Sequence, residues 1–222
     1  MALIVMIKGI FFDFDGVIVD SETVHNKFIL NFFEENGINI PKEETYRIVG
    51  GNPKMNVWED IYQRYRSEFK DDYNTFRAKL RQNNRSKMAE FDYSTVLFKD
   101  VKPTLSYLKN KGLKLALCLS SPMEYLKRNL NSCEIDEFFD IILSGEMFEQ
   151  SKPNPEIYLK CLKMSGLNSD DVLVIEDSKY GIEAANNANL KVLAIKDKKF
   201  GIDQSEAFAI IDSFSDLLNY LK

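Results

Sequence analysis

The chain has 222 residues, 45% of them hydrophobic, with 29 Lys and Arg against 34 Asp and Glu for a formal net charge of -5. That size and apolar content can bury one large domain or a core carrying a smaller insertion, and they exclude disorder as the default reading. The acidic balance offers no concentrated basic surface, so nucleic acid is not an expected partner.

Cys118, Cys133 and Cys161 form no CxxC pair and read as reduced thiols packed into the core of a cytoplasmic protein. Met1 to Ile7 is apolar but short and lacks a basic region, so neither a secretory signal nor a membrane span is expected. A soluble, cytoplasmic, monomeric protein follows as the expectation.

In chain order, Ile7 to Phe12 is apolar except for Lys8 and Gly9, the pattern of a strand buried on both faces of a parallel sheet. It runs into Asp13-Phe14-Asp15-Gly16, two carboxylates two residues apart at the point where the backbone leaves the sheet. Asp20 or Ser21 then caps a helix whose Val24, Phe28, Ile29, Phe32 and Phe33 keep helical spacing up to Gly37. From Pro41 to about Phe91 no strand is predicted. Trp58, Ile61, Tyr62, Tyr65 and Phe69 form one helical stripe, and Phe76 to Met88 a more polar one. Gly50, Gly51 and Asn52 interrupt the pattern and read either as a plain loop or as a cap loop bending toward a substrate, with Gly51 and Lys54 as candidate contacts. Arg77, Lys79, Arg81, Arg85 and Lys87 read as a solvated face, and Trp58 as core of the insertion itself.

Strand and helix then alternate. Lys102 to Lys111 predicts a helix stopped by Gly112, and Leu113 to Leu119 a strand ending in Ser120-Ser121-Pro122 before another helix. Phe139 to Leu143 is a short strand, and Asn154 caps a helix with Pro155 at its first position. Val172 to Ile175 is a strand ending in Glu176-Asp177, Gly181 to Ala188 a helix, Leu190 to Ile195 and Ala209 to Ile211 the last strands, followed by a terminal helix. The expected fold is therefore α/β: a Rossmann-like parallel sheet with helices on both faces over residues 1–20 and 95–222, carrying a small α-helical cap inserted over 21–94.

Ligands bind beyond the carboxyl ends of such strands. Asp13 and Asp15, Ser120 and Ser121, and Glu176 and Asp177 fall at three of those ends, with Lys152 in the loop before the Pro-started helix. Carboxylates gathered in one cleft repel unless a divalent cation intervenes, and Mg²⁺ is the economical choice because it takes oxygen ligands and leaves room for a phosphate. Asp13 would then attack phosphorus and Asp15 would move the proton. The leading expectation is a Mg²⁺-dependent phosphohydrolase of a small phosphorylated metabolite. A sugar-phosphate mutase and a weakly active binding protein on the same fold are the alternatives.

These residues carry a resemblance. Asp13-Phe14-Asp15-Gly16, Ser151-Lys152-Pro153-Asn154-Pro155 and Glu176-Asp177-Ser178 with Gly181 resemble the motifs of the haloacid dehalogenase superfamily. The branch they resemble holds phosphatases and beta-phosphoglucomutase-like enzymes with a helical cap. The resemblance implies Asp13 as a nucleophile that becomes an aspartyl-phosphate, and Asp15 as general acid/base that lends its backbone carbonyl to Mg²⁺. It further implies Asp177 as a metal ligand supported by Glu176, Lys152 on the phosphoryl group, and His25 as a cleft-facing histidine near Asp15, against a plain helix-surface role. The usual hydroxyl after the second core strand falls on Leu119. Either Ser120 serves in its place or a phosphate contact worth about 2 to 4 kcal/mol is missing.

Overall fold

β1 (Gly9–Phe12) is buried at every position, which explains its unbroken apolar run: it lies at the centre of a parallel sheet with cover on both faces. In the computed structural model, which describes residues 6–50 and 56–221, β1 is joined by β2 (Lys114–Leu119), β3 (Ile141–Ser144), β4 (Val172–Glu176), β5 (Lys191–Ile195) and β6 (Ala209–Ile211). The order is β3-β2-β1-β4-β5-β6 and every pairing is parallel. The order reverses at β1, and the crevice beyond the carboxyl ends of β1 and β4 is where a doubly wound sheet binds its ligands.

Eight α-helices are described: α1 (Ser21–Glu35), α2 (Lys42–Gly50), α3 (Val57–Arg64), α4 (Tyr73–Glu90), α5 (Val101–Asn110), α6 (Met123–Cys133), α7 (Glu156–Ser165) and α8 (Lys179–Asn187). Successive residues of β1 face opposite sides. Phe11 packs with Ile157, Tyr158 and Cys161 of α7 and Ile182, Ala184 and Ala185 of α8. Phe12 stacks on Phe214 at 5.3 Å between ring centres and meets the edge of Phe139 at 6.1 Å.

Contacts divide the chain into two units. One holds Met1–Asp20, Asp92–Lys196 and Asp203–Lys222; the other holds Ser21–Phe91 and Asp197–Ile202. In the first, the segments that flank the second unit pair with one another: Val19 bridges Leu97 in antiparallel fashion, Asp20 N–H donates to Val96 O at 3.0 Å, and Phe98 N–H to Ile18 O at 3.1 Å. In the second, Ile29, Phe32 and Phe33 of α1, Val57, Ile61 and Tyr62 of α3, Phe69, and Phe76 and Leu80 of α4 form a separate aromatic-rich core. Residues 197–202 join it although they lie between β5 and β6 in sequence. Lys199 Nζ donates to Thr23 Oγ1 at 2.8 Å, and the Phe200 ring meets Tyr46 edge-on at 5.6 Å.

Three local readings are corrected and one pair of alternatives is narrowed. The stripe from Trp58 to Phe69 is not one helix: α3 stops at Arg64, where Tyr65 leaves helical geometry at φ −114°, and a 3-10 turn covers Arg66–Glu68. α2 fills a stretch in which no element was foreseen. The terminal element is a 3-10 helix, Phe214–Tyr220, opened by a capping box between Ser213 and Asp216. Ser21 does not cap α1, since its buried hydroxyl has no hydrogen-bond partner among the described residues.

Candidate active site

Asp13 is the first residue past β1. Its N–H still donates to Ile175 O at 2.9 Å, so its side chain starts from a fixed point above the sheet. The backbone then turns sharply, with Ile18 N–H on Phe14 O at 2.8 Å and Gly16 N–H on Val19 O at 2.9 Å. Gly16 is required twice: its φ is +72°, and a Cβ there would run into the Asp177 carboxylate. On the neighbouring strand, Ser178 caps α8 by accepting from Gly181 N–H at 3.0 Å, which lays Gly181 flush against Glu176. Lys152 enters from the loop after β3. The expected Asn154 cap and first-position Pro155 are shifted by one: α7 begins at Glu156 with Pro155 as its N-cap residue, and Asn154 Oδ1, one residue earlier, accepts from Glu156 N–H at 2.9 Å.

These ends converge. Lys152 Nζ donates to Asp13 Oδ1 at 2.6 Å, to Glu176 Oε1 at 2.6 Å and to Cys118 O at 2.7 Å. Its three protons thus meet acceptors from β1, β4 and β2. Tyr158 donates to the same Glu176 Oε1 at 2.7 Å, and its ring lies 5.1 Å from the Lys152 ammonium. The other oxygen of Glu176 accepts from Ser178 Oγ and Asp177 N–H, each at 3.2 Å. Gln204 Nε2 donates to Asp177 O at 2.6 Å and to Ile195 O at 2.7 Å, fixing the backbone after β4.

Burial governs the charges. Asp13 has its pKa pushed up to about 8 by removal from water, opposed by Lys152 and reinforced by Glu176 and Asp15. Burial pulls Lys152 down, but Asp13 and Glu176 together outweigh it and hold the ammonium above the ordinary lysine value. The Tyr158 hydroxyl is pushed well up by burial and then by Glu176, which keeps it a neutral donor.

Asp15 stands in a different set of contacts. Tyr125 of α6 donates to its Oδ1 at 2.9 Å, and Ser121 Oγ lies 3.4 Å from its Oδ2. Ser121 is itself placed by Ser144, a fully buried hydroxyl that donates to Ser121 O at 2.8 Å. Ser120 is exposed. Its carbonyl backs onto Gly145, where a Cβ would come within 2.5 Å. Leu119 is buried as the last residue of β2 and puts no hydroxyl at that position.

His25 lies half-buried on α1 in the second unit. Gly51 and Lys54 lie outside the described residues. Arg81, Arg85 and Lys87 are exposed as a solvated face, while Arg77 lies 4.0 Å over the Trp58 ring and Lys79 pairs with Asp71 at 2.7 Å. Sequence reasoning did not single out Tyr125, Tyr158, Ser144 or Gln204, because an aromatic on a helix face or a polar residue in a loop carries no mark of the strand end it reaches. Gly181 was the available signal: it sits five residues after Glu176 at the start of a helix.

Asp13, Glu176 and Asp177 each offer a carboxylate oxygen, all within 4.8 Å of one another. Burial is the main cause of the raised Asp13 pKa, with Glu176 and Asp15 adding to it against Lys152. An all-oxygen set of this kind fits a hard divalent cation such as Mg²⁺. Asp13, Glu176 and Asp177 are the residues that could hold such an ion, and Glu176 already accepts from Lys152, Tyr158, Ser178 Oγ and Asp177 N–H.

Fold and site together define a parallel-sheet enzyme with a carboxylate and lysine centre at the switch point of its strands. The model of the haloacid dehalogenase-like hydrolases matches residues 10–195, and the chain belongs to that family. It is 28% identical over 187 residues to a phosphorylated carbohydrates phosphatase of Thermotoga maritima, covering 83% of this chain and 82% of that protein. It is also 28% identical over 189 residues to a phosphoglycolate phosphatase of Aquifex aeolicus, at 83% and 82% coverage. The crystal structure of a beta-phosphoglucomutase from Clostridium difficile superposes with a TM-score of 0.67 at 23% identity, covering 97% of this chain and 95% of that one, and shares the fold. Among the described residues no helix is long and apolar enough to cross a membrane.

Proposed function

We propose that the chain is a Mg²⁺-dependent phosphatase that hydrolyses a small phosphorylated metabolite through an aspartyl-phosphate on Asp13. The observation that carries this reading is Lys152, held at 2.6 Å from both Asp13 and Glu176 beside Asp177. A phosphoryl group next to Asp13 would meet one fixed ammonium and, through Asp13 and Asp177, one bound cation. Bound Mg²⁺ would supply positive charge to the phosphoryl oxygens.

The residues then divide the work. An Asp13 oxygen attacks phosphorus as the bond to the leaving oxygen breaks, and Asp15 gives that oxygen its proton. Lys152 neutralises charge on the equatorial oxygens. Asp15, now a carboxylate, takes a proton from water as that water attacks phosphorus, and Asp13 is released together with inorganic phosphate. The sequence of steps returns every group to its starting protonation state. Phosphorylated carbohydrates are the first substrate class to test, on the name of the Thermotoga maritima relative.

Release of inorganic phosphate from a panel of sugar phosphates, phosphoglycolate and nucleotides, with and without Mg²⁺, is the experiment. The expected result is Mg²⁺-dependent release that Asp13→Asn abolishes. Release undiminished in Asp13→Asn, or none from any substrate, overturns the reading. Conversion of a sugar 1-phosphate to its 6-phosphate without free phosphate would instead identify a mutase.

A further inference from the structure

Asp15 requires an orientation that its own chain segment does not supply. Gly16 follows it with left-handed angles, its backbone bridge is to Val19, and among the described residues its carboxylate bonds Ser121 and Tyr125 rather than a group of its own turn. The partner with good geometry comes from a helix 110 residues further on, Tyr125 at 2.9 Å. The ring that carries the hydroxyl is held: it meets Phe14 edge-on at 6.4 Å and Tyr93 at 5.4 Å, and the Arg128 guanidinium lies 5.8 Å from the ring centre. Burial, then Asp15, push the phenol above its ordinary range, so it stays protonated and donating wherever the protein is folded.

From this geometry we infer that Tyr125 is a positioning residue for the reaction: its hydroxyl occupies Asp15 Oδ1 and so fixes which oxygen of Asp15 carries the transferable proton. With Oδ1 accepting from Tyr125, the proton of the acid form resides on Oδ2, whose hydrogen-bond neighbour among the described residues is the Ser121 hydroxyl at a long 3.4 Å. As the phosphorus–oxygen bond of the substrate breaks, that proton passes from Oδ2 to the leaving oxygen. Tyr125 touches neither substrate nor metal in this scheme and acts through Asp15. The inference rests on the phosphatase reading above and on Asp15 as its acid.

The test separates proton delivery from general damage by the leaving group. An alkyl phosphate needs its leaving oxygen protonated, whereas p-nitrophenolate departs without a proton. Tyr125→Phe keeps the ring and its aromatic contacts and removes only the donor. General acid catalysis contributes 10² to 10⁴, so partial loss of orientation should lower kcat/KM, which reports formation of the aspartyl-phosphate before the shared hydrolysis step, about 30-fold for the fastest alkyl phosphate of the panel and less than about 3-fold for p-nitrophenyl phosphate. Replacing Tyr125 by 4-aminophenylalanine returns a donor at the same reach and should recover most of the alkyl activity; it carries the test alone should Tyr125→Phe fail to fold.

Equal losses on both substrates in either variant, no loss on the alkyl phosphate, or a gain would each overturn the inference. A gain would mean that the bond restrains Asp15 in a resting position. These results leave the phosphatase reading intact if Asp13→Asn still abolishes release, whereas a wild-type protein without Mg²⁺-dependent turnover removes both.

Discussion

Glu176 binds Lys152 through Oε1 at 2.6 Å, and that carboxylate is fully buried with both oxygens committed to donors. Glu176 therefore works as the anchor that aims Lys152. Glu176→Gln keeps the shape but turns one accepting oxygen into an amide that faces donors. Leaving a buried charge partner unmatched costs about 2 to 4 kcal/mol, and a displaced Lys152 should lower phosphate release by about 10² or more. Urea denaturation alongside the release assay measures both, and a variant as stable and active as the parent would contradict the anchoring role.

Two glycine substitutions should differ in kind. Alanine normally stabilises a helix by about 1 kcal/mol relative to glycine, yet Gly181→Ala in α8 would thrust a methyl into the Glu176 carboxylate. Activity should fall by about 10-fold or more as Lys152 loses its aim. Gly112, at φ +78° with open space around its missing side chain, should bear alanine with full activity and a strain cost of about 1 kcal/mol. Parallel melts and activity assays of the two variants decide between steric and conformational roles.

On the proposed function, Asp177 would hold the ion before any substrate is present, and a stability measurement reads that. Ligand binding to the native state raises stability by about 2.7 kcal/mol at 100 times Kd, so MgCl₂ should raise Tm of the wild-type protein and a chelator should reverse it. Asp177→Asn should shrink that rise to near zero at the same concentration. A full Mg²⁺ shift in the variant would reassign the ion to other ligands.

The second unit carries its own pH dependence. Glu44 of α2 takes hydrogen bonds from Arg47 at 2.6 Å and from both amino groups of Arg64, at 2.5 and 2.9 Å, and its pKa falls from 4.5 to about 2, chiefly through Arg64. The folded value lies below the unfolded one, so the contribution is complete above about pH 4.5 and is lost as pH falls toward about 2. The arginines are 39% and 42% exposed, and screening limits the gain to about 1 kcal/mol. Glu44→Gln should thus cost about 1 kcal/mol at pH 7 and nothing near pH 2; a pH-independent difference in denaturation midpoint would exclude the ionic origin.

The strands were readable from the sequence because β1, β2, β4 and β5 are covered on both faces and therefore run apolar without interruption. The polar residues gathered by the sheet were readable for the complementary reason: Asp13, Glu176 and Asp177 stand where such runs stop. α2 left no trace, since Lys42–Gly50 has no apolar stripe and is joined to α3 by ion pairs of Glu44, Arg47, Asp60 and Arg64. Tyr125 and Tyr158 carry no mark in the sequence, because only the last atom of each reaches a carboxylate. Gln204 meets Asp177 across 27 residues of chain, a distance that no local pattern encodes.

The loop at 197–202 has a practical consequence for anyone exchanging parts between relatives. It is prefolded, with the Asp197 carboxylate accepting N–H groups of Lys199, Phe200 and Ile202 at 2.8 to 3.2 Å, and it completes the surface of α1 and α2 through Lys199 and Phe200. The chain therefore passes between the two units at four places rather than two. A chimera that transplants only Ser21–Phe91 would remove the Lys199 contact of Thr23 and the Phe200 contact of Tyr46 and leave a mismatched plug behind in the recipient. The transferable module is discontinuous: two cassettes, far apart in the gene, that must move together.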